Sequence, residues 1–266
     1  MIRGIFPFSG FLVMAALALP APAASRQEAT LAQDYHGAFP DVFTSQSDRV
    51  RLLVKQAQLE VSARLGLVQY QEGFQYPLEI RFADGAPAGV EHALAYVQMS
   101  QGGADFRQEL VVNLAEAAHN PFDFDQVFYH EMTHAVLNDS IGGEASARVP
   151  HWVQEGLAQY VSGEGEPRIV RVTQHLRRSQ VQVLLCDLNG PYSAQAYPQY
   201  YLAIQDLYEK HSSNAVQALV RDLIAGQDAS HAVEDATGLS WDDFTSEVRI
   251  YSLKVLQAHA QPDFYY

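Results

Sequence analysis

The chain has 266 residues, a formal net charge of −14 at neutral pH and a single cysteine. The negative charge argues against nucleic acid or an anionic membrane as a partner, because both repel an acidic surface. A single cysteine excludes a disulfide within the chain, and the length suffices for one compact unit with a sizeable core.

The first 23 residues are expected to be a secretory signal peptide. One positive charge, at Arg3, precedes a largely apolar run over 4–20, and small residues follow. The run is short for a membrane span and is interrupted by Pro7, which makes a membrane anchor the weaker interpretation. We therefore expect an exported protein, periplasmic or secreted, with no membrane span in its mature chain.

The next segments predict a linker, a helix and three strands. Residues 24–45 are mixed in character without a period and predict a linker, with a role as a pro-segment left open. Apolar residues recur at helical spacing over 47–67. Alternating apolar and polar residues predict strands over 78–83, 95–99 and 109–114.

Residues after Pro150 lack clear alternation, except around 168–173, and predict helices. The fold class is therefore α+β, with a small, mainly antiparallel sheet and its helices packed beside a helical C-terminal half. The predicted boundaries are a domain over 46–258, consisting of an α+β half (46–140) and a helical half (150–258), and a tail over 259–266.

The segment 127–137 contains H-E-x-x-H in an apolar setting that favours a helix. Two histidines four residues apart, His130 and His134, project from one helical face and can reach a single metal ion. Glu131 follows the first histidine, where its carboxylate can reach a water on that metal. Asp123 or Asp125 is expected to cap the helix.

A catalytic zinc ion usually has three protein ligands, so a third ligand is expected. Glu155 is the candidate, because it falls one to two turns inside a helix that Pro150 can open. Small and apolar neighbours suit close packing of this helix against the first. His151 is the less favoured candidate.

The pair H-E-M-T-H and P-x-W-V-Q-E-G-L-A-Q-Y resembles the gluzincin metallopeptidases, the zincins whose third ligand is a glutamate. More narrowly, it resembles the bacterial peptidase-MA-like family. The resemblance covers 78–256, is strongest at 127–160, and includes an A-Y-x-Q motif that opens a downstream helix. It implies a zincin-like fold with the metal between the two halves.

The resemblance also implies the role of each motif residue. One zinc ion would be held by His130, His134 and Glu155. Glu131 would act as general base for a zinc-activated water that attacks a peptide bond.

Two further roles follow from the resemblance. A tyrosine of the downstream helix would contact the developing oxyanion; Tyr197 is preferred, with Tyr200 and Tyr201 as alternatives and simple packing equally open for each. The segment 109–114 would be the edge strand beside the metal helix, where an extended substrate can pair.

Two departures from related enzymes limit what can be carried over. The G-x-M-x-N motif of the large aminopeptidases is absent, which argues against an aminopeptidase. Gln159 replaces the acidic residue found four positions after the third ligand in the thermolysin pattern, so that route does not assign a partner for His130. The lone Cys186 is expected to be a buried thiol.

Four arginines lie close together in this acidic sequence. They are expected to be solvated or paired with Glu164 and Glu166, rather than to receive a substrate carboxylate. The residues are Arg168, Arg171, Arg177 and Arg178.

The sequence thus predicts an exported zinc metallopeptidase that acts on peptides or proteins. The alternatives are a zinc-containing, catalytically inactive binding protein and a hydrolase of a non-peptide amide or ester. The intact Glu131 argues against the inactive protein, because zinc binding alone does not need that carboxylate. The sequence carries no signal for an oligomeric state.

Overall fold

The computed structural model describes residues 40–67, 73–83, 94–102, 105–113, 116 and 124–263. Within these ranges the chain is an α+β protein, in which a small sheet precedes a largely helical C-terminal half. The α+β fold class predicted from the sequence is confirmed. The predicted signal peptide, 1–23, lies outside the described residues.

Helix α1 spans Pro40–Arg64 and begins inside the segment predicted to be a linker. A proline fits the first turn of a helix, because its fixed φ suits the helix and its missing N–H would be unpaired there anyway. The predicted amphipathic character is confirmed, since Ala57, Val61 and Leu65 are buried. The chain leaves the helix at Gly66, which has a positive φ of 73°.

The strands are β1 (Leu78–Ala83), β2 (Ala95–Gly102) and β3 (Asp105–Asn113). Their order is β1-β3-β2, with β1 parallel and β2 antiparallel to the central strand β3. The sheet is therefore mixed, whereas a mainly antiparallel one was expected.

The prediction that 109–114 forms an edge strand is wrong, because β3 is paired on both sides. Gly102 of β2 pairs with Asp105 of β3, and β2 takes the outer position in the sheet. The edge strand that contacts the H-E-x-x-H helix is β2.

Helix α2 spans Phe124–Ile141 and carries H-E-x-x-H. It packs against α1, the sheet and the helices that follow, and nearly all of its residues beyond the first turn are buried. Asp125 lies in the first turn, where its negative charge favours the positive end of the helix dipole, rather than at the cap. Asp123 lies outside the described residues.

The C-terminal half is helical, as predicted. After a short helix α3 (Gly143–Ser146) come α4 (His151–Ser162), α5 (Gly165–Thr173), α6 (Tyr197–Ile224), α7 (Ala229–Thr237) and α8 (Trp241–His259). Two 3-10 segments, Arg178–Leu184 and Ala194–Ala196, connect α5 to α6. In the described part of the chain, no helix combines the length and apolar character that a bilayer span requires.

Helices α4 and α6 approach closely because residue 156 is a glycine. A Cβ atom at Gly156 would lie 2.4 Å from the backbone oxygen of Tyr200. One helical turn before Gly156, Trp152 also fixes α4, because its fully buried ring packs against Trp241 and Phe244. Because Glu155 precedes Gly156 and Tyr197 opens α6, this packing places both beside the histidines of α2.

Candidate metal centre

The three residues predicted to bind metal meet in the interior of the protein. The Nε2 atoms of His130 and His134 lie 3.1 Å apart. One oxygen of Glu155 lies 3.4 Å from His130 Nε2, and the other lies 3.5 Å from His134 Nε2. All three residues are buried, and they form a group that can hold a metal ion.

The spacing of these atoms fits a tetrahedral zinc site. Zinc takes nitrogen and carboxylate oxygen at about 2.0–2.1 Å, which places two ligand atoms about 3.3 Å apart at the tetrahedral angle. The three observed separations, 3.1, 3.4 and 3.5 Å, bracket that value. Two imidazoles and one carboxylate are also the donor set of many catalytic zinc sites, in which the fourth position is left for water or substrate.

Burial and mutual contact shift the pKa values of these groups in opposite directions. Burial lowers the pKa of His134 to about 4, so this ring is neutral at pH 7 and ready to bind a metal. Burial raises the pKa of Glu155, but its contacts with the two imidazoles outweigh burial, and the net pKa is lowered. The carboxylate is therefore ionised, as a metal ligand must be.

Glu131 lies beside this group and is held by the sheet. Its Oε2 accepts a hydrogen bond of 2.8 Å from the backbone N–H of Val97 in β2. Its Oε1 is buried and has no hydrogen-bond partner among the described residues. Burial raises the pKa of Glu131 to about 8, because the ionised form loses its hydration. One oxygen is thus anchored while the other is free to exchange a proton.

Glu164 supports His130, and the sequence reasoning did not assign it this role. Its Oε1 lies 2.7 Å from His130 Nδ1, and both side chains are almost fully buried. Glu164 occupies the cap position of α5, but its side chain does not cap that helix. Burial would raise its pKa, yet the His130 ring and Arg168 outweigh burial and hold the pKa at about 2. A carboxylate on Nδ1 orients the ring so that Nε2 faces the metal position.

Arg168 completes this side of the centre. Its Nη2 lies 3.3 Å from Oε1 of Glu164, which confirms the predicted ion pair between these residues. Its guanidinium carbon lies 5.0 Å from the ring centre of Tyr197, within the range of a cation–π interaction.

Tyr197 is the tyrosine that the structure places beside the metal ligands. Its hydroxyl lies 3.1 Å from the hydroxyl of Tyr192, and the side chain is close enough to Glu155 for the carboxylate charge to raise the pKa of the phenol. The side chain is buried, and burial raises its pKa well above 10, so the phenol keeps its proton. A neutral phenol can donate a hydrogen bond without competing for the metal.

The two alternative tyrosines point elsewhere. The Tyr200 hydroxyl accepts a hydrogen bond from the backbone N–H of Ser193, in the loop before α6. The Tyr201 ring packs over Gly165, where an added Cβ would lie 2.2 Å from the ring.

Gln159 shows what replaces the acidic residue of the thermolysin pattern. Its buried side-chain amide donates to the backbone oxygens of Glu155 and Tyr197, at 3.1 Å each. It therefore ties the helix that carries Glu155 to the start of α6, and it does not reach His130. The partner of His130 comes instead from Glu164, beyond the end of α4.

His151 and Tyr192 lie on the outer side of the centre. Their rings are 5.1 Å apart, and Tyr192 is 42% exposed. Among the described residues His151 is not part of the group that can hold a metal, although it is close enough to His134 to affect its pKa. The half-buried Cys186 lies away from the ligands, where it contacts Tyr200.

The structure adds Glu164, Arg168, Gln159 and Tyr192 to the residues predicted for the site. Only Glu164 had a usable signal in the sequence. An acidic residue directly follows Gly163, the left-handed residue that ends α4, so its side chain can turn back toward the centre. Tyr192 lies in an irregular loop, where neither spacing nor periodicity indicates its position.

The fold and the centre together define a class of protein. A buried H-E-x-x-H helix, a glutamate from a second helix and a strand against the motif glutamate form a zincin-like metallopeptidase fold. A family model for the Peptidase MA superfamily matches residues 64–251, more than half of the chain, and the chain belongs to that superfamily. No curated protein and no solved structure matches it.

Proposed function

We propose that this protein is a zinc-dependent peptidase of the gluzincin type. The observation that carries the proposal is the buried cluster of His130, His134 and Glu155, in which the two Nε2 atoms lie 3.1 Å apart and each lies 3.4–3.5 Å from a different oxygen of Glu155. Membership of the superfamily supports peptide or protein as the substrate. When bound, the zinc ion supplies positive charge that acidifies water and polarises a carbonyl group.

Glu131 is the general base in this proposal. The free Oε1 takes a proton from the attacking water and later delivers it to the leaving amine. The Val97 N–H holds the other oxygen, so the carboxylate keeps its orientation through both transfers. Burial raises the pKa of Glu131 to about 8 without metal, and a bound cation would lower it, which would leave the carboxylate ionised and able to accept the proton at neutral pH.

The outer edge of β2 offers a place for an extended substrate. The Asn113 N–H donates to the Leu94 oxygen just before β2. Because hydrogen-bonded pairs alternate along an antiparallel ladder, the backbone N–H and C=O groups of even-numbered residues in β2 point to β3, and those of odd-numbered residues point outward. The Val97 N–H follows this rule, because it points away from β3 to Glu131. A peptide that pairs with the outward groups of β2 would pass directly beside the metal centre.

A phenol would stabilise the negative charge that develops on the carbonyl oxygen. We assign this role to Tyr197, whose buried side chain lies close enough to Glu155 for the carboxylate charge to raise the pKa of the phenol. The more exposed Tyr192 shares a hydroxyl contact with Tyr197 and lies between it and solvent.

Metal analysis combined with a peptide-library digest tests the proposal. We expect about one zinc per chain and cleavage that stops when a chelator removes the metal. Glu131→Gln should keep the zinc and lose hydrolysis, whereas His134→Ala should lose the zinc. Undiminished zinc in His134→Ala would contradict the ligand assignment, and wild-type turnover in Glu131→Gln would contradict the mechanism.

Export is part of the proposal and is supported by the first 24 residues of the sequence alone. Cleavage should follow the small residues near Ala23. Mass spectrometry of protein recovered from the periplasm or medium should give a mature chain that begins at or next to Ala24. An intact N-terminus on cytoplasmic protein would contradict export.

A further inference from the structure

We infer that Arg168 is a positioning residue that supports the metal ligand His130 from a different helix. It contacts Glu164, which lies against Nδ1 of His130, and the ring of Tyr197, which lies beside Glu155. The ligands His130 and Glu155 belong to α2 and α4, whereas Arg168 belongs to α5. This inference rests on the proposed zinc site, but it does not depend on which bond the enzyme cleaves.

The first contact acts on Glu164. A single oxygen, Oε1, faces both His130 Nδ1 at 2.7 Å and Arg168 Nη2 at 3.3 Å. Glu164 has a side chain of several rotatable bonds, and two donors that converge on one oxygen limit its rotation. The His130 ring is thereby held with Nε2 toward the metal position. Without Arg168, the carboxylate would keep only one of these partners.

The second contact acts on Tyr197. The guanidinium group lies over the ring face, where the negative potential of the aromatic system attracts a cation. The ring is buried beside Glu155, and its hydroxyl contacts Tyr192. A cation over this ring therefore restricts the phenol that lies next to the glutamate ligand.

The charges of the centre favour the same role. Glu131, Glu155 and Glu164 bring three carboxylates into a largely buried region. A divalent metal ion with neutral imidazole ligands compensates two of these charges, and Arg168 compensates the third. Its side chain is only 21% exposed, so solvent screens this interaction less than at an ordinary surface ion pair.

The test measures zinc affinity, which requires no substrate. The variants are Arg168→Gln, which removes the charge, and Arg168→Lys, which keeps it. Arg171→Gln is the matched control, because Arg171 is an exposed residue on the same helix. We expect Arg168→Gln to weaken zinc binding about tenfold, within the range usual for groups that support ligands. Arg168→Lys should recover part of the loss, and Arg171→Gln should behave as wild type.

A double-mutant cycle tests whether Arg168 acts through Glu164. In a Glu164→Gln background, adding Arg168→Gln should weaken zinc binding by clearly less than it does alone. Fully additive effects would overturn the Glu164 contact as the route. Unchanged zinc affinity in Arg168→Gln would overturn the inference as a whole. If Arg168→Gln does not fold, Arg168→Lys in both backgrounds gives the same comparison.

Kinetics separate positioning from direct substrate binding. A positioning role predicts a lower kcat with KM within about twofold of wild type, because substrate binding is not touched. The opposite result is a KM of Arg168→Gln that rises only for peptides with an acidic group, while its zinc affinity is unchanged. This result would make Arg168 a substrate-binding residue and overturn the inference. A wild-type protein that binds no zinc would instead remove the proposed function itself.

Discussion

Oε1 of Glu164 lies 2.7 Å from Nδ1 of His130, and the two side chains are 9% and 2% exposed. The contact joins the start of α5 to the middle of α2, so it forms only when the C-terminal half has packed against the metal helix. The orientation of a candidate metal ligand therefore depends on tertiary folding as well as on the local H-E-x-x-H spacing.

Glu164→Gln should weaken zinc binding by about 10- to 100-fold, since a neutral amide is a poorer partner for the imidazole N–H. Competition with a chromogenic chelator at fixed pH measures this directly. Glu166→Gln is the matched control, because Glu166 is exposed and lies two residues further along. Equal zinc affinity in Glu164→Gln and the control would show that the His130 contact does not support the metal.

Zinc binding should release protons and strengthen as the pH rises. Without metal, burial lowers the pKa of His130, but Glu164 and Glu155 outweigh burial and raise it well above 6.5. Burial raises the pKa of Glu131 to about 8. Both groups therefore carry protons at pH 7, and a bound cation displaces them. For each proton that is displaced, the zinc affinity should rise about tenfold per pH unit until the pH reaches the pKa of the group that carried the proton.

Calorimetry in buffers of different ionisation enthalpy counts the released protons. Titrations between about pH 6.5 and 8 give the slope, which should be positive throughout. Glu164→Gln should reduce this slope. Without the negative charge of Glu164, burial lowers the pKa of His130, so fewer protons are released at neutral pH. An affinity that is flat or falls with rising pH would contradict this assignment of charges.

Local sequence signals predicted the elements well and their arrangement less well. Alternation identified β1, and the two histidines identified the metal helix, because both patterns depend on residues close in sequence. Strand order depends on pairing between distant segments, so 109–114 could be recognised as a strand but not as the central one. For the same reason Glu155 was predictable from its motif, whereas the position of Glu164 after Gly163 gave only a local signal and did not identify His130 as its partner.

Gly156→Ala should destabilise the protein and weaken the metal site together. The new Cβ would lie 2.4 Å from the Tyr200 backbone oxygen, so α4 and α6 must separate. Overpacking of this kind costs about 1–3 kcal/mol, and the shift would move Glu155 relative to the histidines. Denaturant unfolding gives the stability change, and chelator competition gives the zinc affinity.

Gly238→Ala is the comparison for this substitution. A Cβ at Gly238 meets no atom within 4 Å, so only the strain of its positive φ of 75° remains. We expect a loss of about 1–2 kcal/mol in stability with zinc affinity unchanged. If both variants bind zinc as wild type does, close packing at Gly156 is not what positions Glu155.

Tyr197→Phe should lower kcat by about 10²–10³-fold, the usual cost of one oxyanion donor. Zinc content and KM should change little, because the hydroxyl matters mainly in the transition state. Tyr192→Phe should have a smaller effect, since this hydroxyl reaches the centre through Tyr197. Tyr201→Phe should match wild type, because the Tyr201 ring packs over Gly165 and faces away from the ligands.

The three phenylalanine variants also distinguish the two phenols of the centre. Tyr197 is 3% exposed and lies beside Glu155, whereas Tyr192 is 42% exposed and therefore more accessible to an incoming substrate. A larger kcat loss in Tyr192→Phe than in Tyr197→Phe would transfer the oxyanion contact to Tyr192. Tyr197→Phe could instead lose zinc while its remaining zinc-loaded fraction keeps the wild-type kcat. That result would show that Tyr197 serves only to position Glu155.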